Sequence, residues 1–168
     1  MSKLTILVVL GACIACAQGY DEAKIDAAKA IRQGKAAEAQ RIAEPLAKSV
    51  PDDYDVWYTL AQAYRLQGKF DQAEKATQWM LDLRPDNLGG RWEAGLLREQ
   101  FKDLTGSLDL LNGVYRQIPA TKLEERARIL TDIARILDKR GLKSDSAMVR
   151  REITRLKEAE RADAAAHP

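Results

Sequence analysis

Val56–Pro85, VWYTLAQAYRLQGKFDQAEKATQWMLDLRP, decides the fold. Trp57, Leu60, Ala61 and Tyr64 fall at i, i+3, i+4 and i+7, which places them on one apolar stripe of a helix. Gly68 follows as a helix stop, because a residue without a Cβ takes the left-handed conformation that turns the chain. Phe70, Ala73, Ala76, Thr77 and Met80 form a second stripe. Pro85 ends it, since proline lacks the N–H donor a helix interior needs and its ring clashes with the preceding turn. Two short helices joined by Gln67, Gly68 and Lys69 must lie antiparallel, side by side.

The same punctuation recurs along the chain. Pro51 and Pro119 stand at equal distances on either side of Pro85. Behind each proline comes a residue suited to capping a new helix: Asp52 or Asp53, Asp86 or Asn87, and Thr121. The interval is therefore one helix, one turn, one helix and one capped restart. The stretch resembles a tetratricopeptide repeat, whose pattern of W-x2-L-G-x2-Y, then A-x3-F, then P has the same period as these prolines. It departs from that pattern at Ala61, where glycine is usual, and at Thr77, where phenylalanine is usual.

Shifting the register by one proline interval tests the repeat. Backward, Gly34, Ala39, Leu46 and Pro51 fall into place, but Ala23 and Asp26 stand where Trp57 and Leu60 would. A degenerate first unit is expected at the end of an array, where a repeat has only one neighbour. Pro45 falls inside its second helix and predicts a kink. Forward, Ala94, Gly95, Ser107 and Pro119 match, and the aromatic moves by one to Trp92. A fourth pair fits only when the shift exceeds two intervals, which sets Gly141 on Gly68 and leaves Ala120–Glu124, ATKLE, as extra length. Its expected stripes are Ile129, Leu130, Ile133, Ile136 and Leu137, then Ala147, Met148, Ile153 and Leu156.

The expectation is an all-α chain of antiparallel helix pairs, which the resemblance implies are stacked as a short right-handed α-solenoid of about four units. The boundaries are a leader at 1–19, units at 20–53, 54–87, 88–121 and 122–156, and a frayed tail at 157–168. Composition agrees, with 46% hydrophobic residues but only 6% aromatic ones and many alanines, leucines and charged helix formers.

The opening MSKLTILVVLGACIACAQG has one cation, Lys3, then an apolar run that passes into small residues and breaks down by Gln18. It is too short to span a membrane and reads as a secretory signal peptide. Two exits stay open. Small residues at Ala15, Ala17 and Gly19 suit cleavage near Gln18 or Tyr20. Leu10, Gly11, Ala12 and Cys13 resemble the bacterial lipobox, which implies lipidation at Cys13, with Cys16 a second candidate. The chain is thus expected to be exported, periplasmic or secreted, or else lipid-anchored to the envelope. Any membrane contact would come through that lipid.

Both cysteines lie in the leader, and the one histidine is His167, next to the last residue. A mature chain so composed offers no disulfide framework, thiol nucleophile or zinc site. Gly89-Gly90 is a lone pair at a helix start, not a phosphate loop. Asp52, Asp53, Glu124 and Glu125 sit where helix starts favour negative charge. No cofactor and no enzymatic activity are expected. A net charge of +2 gives no ground for nucleic acid as a partner.

What remains is surface. In tetratricopeptide proteins the first helix of each unit usually lines a concave binding face, so the resemblance directs attention to Tyr58, Gln62 and Arg65 beside the packing stripe. Their equivalents are Lys24, Ala28 and Ile31 in the first unit, Trp92, Leu96 and Glu99 in the third, and Thr131, Arg135 and Asp138 in the fourth. The expected site has Tyr58, Trp92 and Leu96 as apolar anchors, Ala28 leaving room, and Lys24, Gln62, Arg65 and Arg135 as polar contacts. A protein or extended peptide with hydrophobic residues fits such a surface. The terminal repeats offer a route to a homo-oligomer.

Overall fold

A computed structural model describes residues 19–166. The leader with Cys13 and Cys16, and His167, lie outside the described residues.

The 3.6-residue stripes give eight helices among the described residues, and no strand. They are α1 (19–32), α2 (Ala36–Ser49), α3 (Tyr54–Leu66), α4 (Phe70–Leu83), α5 (Leu88–Gln100), α6 (Leu104–Gln117), α7 (Leu123–Lys139) and α8 (Lys143–Ala166). Consecutive helices form pairs joined by tight turns. Gly34, Gly68 and Gly141 end α1, α3 and α7 at φ of 74°, 70° and 78°, the left-handed region that favours glycine. The third pair has no glycine there. Lys102, one repeat beyond Gly68, takes φ 63° in its place.

Caps follow the sequence at two of the three prolines. Asp53 accepts from the N–H groups of Asp55 and Val56, and Asn87 accepts from Gly90 N–H at 3.1 Å. Thr121 does not cap α7. That helix starts one residue later than a Thr121 cap requires, with Lys122 at the cap position and no side-chain bond there. Glu124 and Glu125 in its first turn supply the negative charge instead.

The chain forms two units, one ending at Arg84 and one beginning at Pro85. In the first, Val56, Leu60 and Ala61 of α3 pack with Ala27 of α1, Ala43 and Ala47 of α2, and Ala76 of α4. Trp57 and Tyr64 are half-buried against this cluster. Trp57 also stacks on Trp79 at 5.5 Å and donates its indole N–H to the Pro51 carbonyl at 2.7 Å. The helix α2 runs through Pro45 to Ser49.

In the second unit, Leu108, Leu111 and Val114 of α6 meet Ile129, Leu130, Ile133, Ile136 and Leu137 of α7, and Leu156 of α8. The α7 stripe is as expected, and the helix has 17 residues against 13 in α3 and α5. The α8 stripe differs. Ala147 and Met148 face solvent, and the inward set is Ser146, Val149, Ile153 and Leu156. Ser146 wins the position because its small side chain fits against α7 and its hydroxyl donates to the Ala134 carbonyl at 3.1 Å. Nor does the chain fray at residue 157. The helix continues to Ala166, and Lys157, Glu160, Arg161 and Ala164 lie opposite Glu124, Ala127, Arg128 and Thr131 of α7.

Candidate functional site

On the first unit, α1, α2 and α3 enclose a cleft of about 270 Å³. Ala27 and Ala43 lie at its base because the close approach of α1, α2 and α3 requires small side chains there. Ile25, Ala28, Leu46, Val56 and Tyr58 give it an apolar lining, and Lys24, Asp55 and Thr59 its polar atoms. Ile25 is 62% exposed at the cleft. Tyr58 is half-buried and stacks on Tyr54 at 6.0 Å.

Asp53 organises the cleft's polar edge. One carboxylate oxygen caps α3, and the other accepts from Lys24 Nζ at 2.7 Å and from the Tyr20 hydroxyl at 3.1 Å. Burial works against the Asp53 charge, but the hydrogen bonds from Lys24 and Tyr20 outweigh it and hold the carboxyl below its usual range. Burial, reinforced by Asp53, pushes the Tyr20 hydroxyl up to about 12. The bond to Asp53 raises Lys24 against the opposing effect of burial. Lys24 therefore ties α1 to α3 while it rims the cleft.

The structure brings Lys24, Ala28 and Tyr58 together. Gln62 and Arg65 continue along α3, both half-buried, outside the cleft lining. In the second unit the predicted residues meet a charge network. Trp92 packs on the core and donates its indole N–H to Asp132 at 2.8 Å. Arg135 donates to Asp132 at 2.7 Å and is also paired with Glu99. Lys139 donates to Glu99 at 2.7 Å. Leu96 is half-buried on α5.

Sequence reasoning missed Asp53 as a hub and Asp132 and Lys139 as network members. The spacing of Asp132 and Arg135, an i, i+3 pair, was a signal for one of these contacts. It also missed a shallower cleft of about 530 Å³ between α7 and α8, where Thr131 lies among Glu124, Arg128, Lys157, Glu160 and Arg161. No group of His, Cys, Asp and Glu among the described residues is arranged to hold a metal ion.

Residues 30–89 match the sequence profile of the tetratricopeptide repeat. Over this stretch, 60 of the 168 residues, the chain is similar to the tetratricopeptide repeat. The matched stretch runs from the end of α1 into α5 and contains the α3–α4 pair in which the repeat is most legible. Solved structures share the fold over most of the chain. MamA of AMB-1 superposes with a TM-score of 0.61 at 17% identity, covering 89% of this chain and 79% of that one. MamA of MSR-1 gives 0.61 at 16% identity, covering 87% and 91%. An ArsTM double mutant of MamA from RS-1 gives 0.52 at 15% identity, covering 84% and 96%. Likeness at these identities is likeness of fold. No curated protein matches the chain in sequence. A tetratricopeptide-repeat α-solenoid is a protein–protein interaction architecture, with stacked helix pairs that expose extended surface.

Proposed function

We propose that this chain is a non-enzymatic adaptor of the cell envelope that holds an extended segment of a protein partner against the first-helix faces of its repeats. The observation that carries the reading is the cleft between α1 and α3, apolar, open, and flanked by the half-buried ring of Tyr58. Apolar pockets with an aromatic wall are where partner anchors gain most binding energy. Export rests on the leader-like opening with Lys3 and its apolar run. Lys24, Gln62 and Arg65 remain the proposed contacts on the first unit, and Trp92, Leu96 and Arg135 those on the second. Lys24, Trp92 and Arg135 would each have to keep or exchange an internal partner on binding.

A second reading makes the chain a structural part of an envelope assembly, lipidated at Cys13 or Cys16 and using an outer face. Trp79 favours it, as a tryptophan 50% exposed on α4, the second helix of its pair.

The two readings separate in a cross-linked pull-down from the native host with the wild type, Ala28→Trp and Trp79→Ala. The adaptor reading expects a partner that is lost when Ala28→Trp fills the cleft and kept by Trp79→Ala. Loss with Trp79→Ala alone would overturn it.

A further inference from the structure

The cleft on the first unit says more about its occupant than that it is apolar. Its volume, about 270 Å³, lies just below the roughly 300–1,000 Å³ of small-molecule sites, a size suited to one large side chain of a longer segment. Lys24 is the only cation in the lining, and its ammonium is held by Asp53 at 2.7 Å, with Asp55 at 3.8 Å. Asp21 adds a third carboxylate whose field reaches the same ammonium. Asp53 is satisfied by Lys24, Tyr20 and the α3 backbone, whereas the side chain of Asp55 is 63% exposed at the cleft's edge and Asp21 is exposed on α1. Lys24 is matched by Asp53, so the exposed carboxylates of Asp55 and Asp21 leave this edge of the cleft electronegative, and Arg84 is engaged over the ring of Tyr54 at 4.8 Å. Like charges brought to such a rim are repelled and opposite charges attracted, which sets partner choice more than raw affinity does.

We infer that the α1–α3 cleft recognises a segment carrying one large apolar side chain flanked by lysine or arginine, with the apolar group entering between Ile25, Ala28 and Tyr58 and a cation set against Asp55. The inference rests on the adaptor reading above and adds the chemistry of the partner. Lys24 and Arg135 do not call for an acidic peptide, because both cations already face carboxylates of this chain.

The test is a fluorescence-anisotropy titration of the purified chain with three short leucine-centred peptides, flanked by lysine, serine or glutamate, and a lysine-flanked control with alanine at the centre. Ala28→Trp and Tyr58→Ala, checked for unchanged helicity, probe the cleft, and Asp55→Asn probes the rim. The expected result is a lysine-flanked leucine peptide that binds about tenfold more tightly than the glutamate-flanked one. That preference shrinks in Asp55→Asn and at high salt. The alanine control binds weakly, and both cleft variants lose binding. If the serine or glutamate peptide binds as tightly as the lysine peptide and is still lost in the cleft variants, the charge assignment falls and the cleft remains a binding site. If no peptide binds, or binding ignores both cleft variants, the inference and the adaptor reading fall together.

Discussion

The Ser107 hydroxyl donates to the main-chain carbonyl of Gly95 at 2.7 Å, inside the contact between α6 and α5, and Ser107 is fully buried. The same relationship joins Ser146 to Ala134, at the same separation along the chain. At the equivalent places Ala73 follows Ala61 and Ala39 follows Ala27, all buried. A small residue on each helix is what lets a pair close, and serine adds a bond without adding bulk. Gly95 is the tightest case, because a Cβ there would come within 2.8 Å of Leu111. Ser107→Ala should therefore cost only about 1 kcal/mol, the lost hydrogen bond. Ser107→Leu should cost roughly 1–3 kcal/mol or more from overpacking. Urea denaturation of the two variants checks the order, and equal losses would show that the contact is not close-packed.

Lys102 should be better as glycine. It holds φ 63° where the other three turns place glycine. A Cβ in the left-handed region costs roughly 1–2 kcal/mol. Lys102→Gly is expected to stabilise the chain by about 1 kcal/mol, read as a raised denaturation midpoint. A lowered midpoint would mean that the lysine side chain contributes more than its backbone costs.

Thr77 stands where the repeat pattern has phenylalanine, and its hydroxyl is buried without a hydrogen-bond partner. An unsatisfied buried hydroxyl costs on the order of 1–3 kcal/mol. Thr77→Val keeps the branched shape and removes the oxygen, so thermal unfolding should move upward. An unchanged or lower melting temperature would show that the hydroxyl finds a partner in solution.

Much of this was legible in the sequence, and the rest was hidden for identifiable reasons. Prolines, glycines and alanines at fixed spacing placed the helix pairs because they act through the local backbone and through steric closeness. Lys102 could have been found by carrying the Gly68 position forward. Ser146 was overlooked in favour of Ala147 and Met148 because an apolar count gives no credit to a small polar residue that bonds a carbonyl. The partners of Lys24 and Arg135 were beyond a linear reading. Asp53 and Glu99 lie far from them along the chain, and only the pairing of helices brings them together.

Glu99 gives the protein an acid-sensitive joint. Its side chain is 5% exposed, and burial pushes its carboxyl up, but the bonds from Lys139 and Arg135 outweigh burial and hold it below its ordinary value of 4.5. Asp53 is lowered in the same way by Lys24 and Tyr20, against its own burial. A depressed folded-state pKa gives stability that is present above the unfolded value and is lost as pH falls through the folded one. The melting temperature should therefore be nearly flat from about pH 7 to about pH 5 and fall below roughly pH 4.5. Glu99→Gln should be less stable than the wild type at neutral pH and lose less on acidification. Parallel curves for the two proteins would contradict this assignment.

The central claim is that the α1–α3 cleft is where a partner segment sits. Ile25 at the cleft and Met148 on α8 are matched in exposure, at 62% and 57%, so a photo-cross-linking benzoylphenylalanine placed at either is equally accessible. The direct measurement is photo-cross-linking in the native host with the probe at each position in turn. The predicted result is a discrete partner adduct from position 25, absent from position 148 and absent when Tyr58→Ala is added. An adduct from position 148 with none from position 25 would contradict the account.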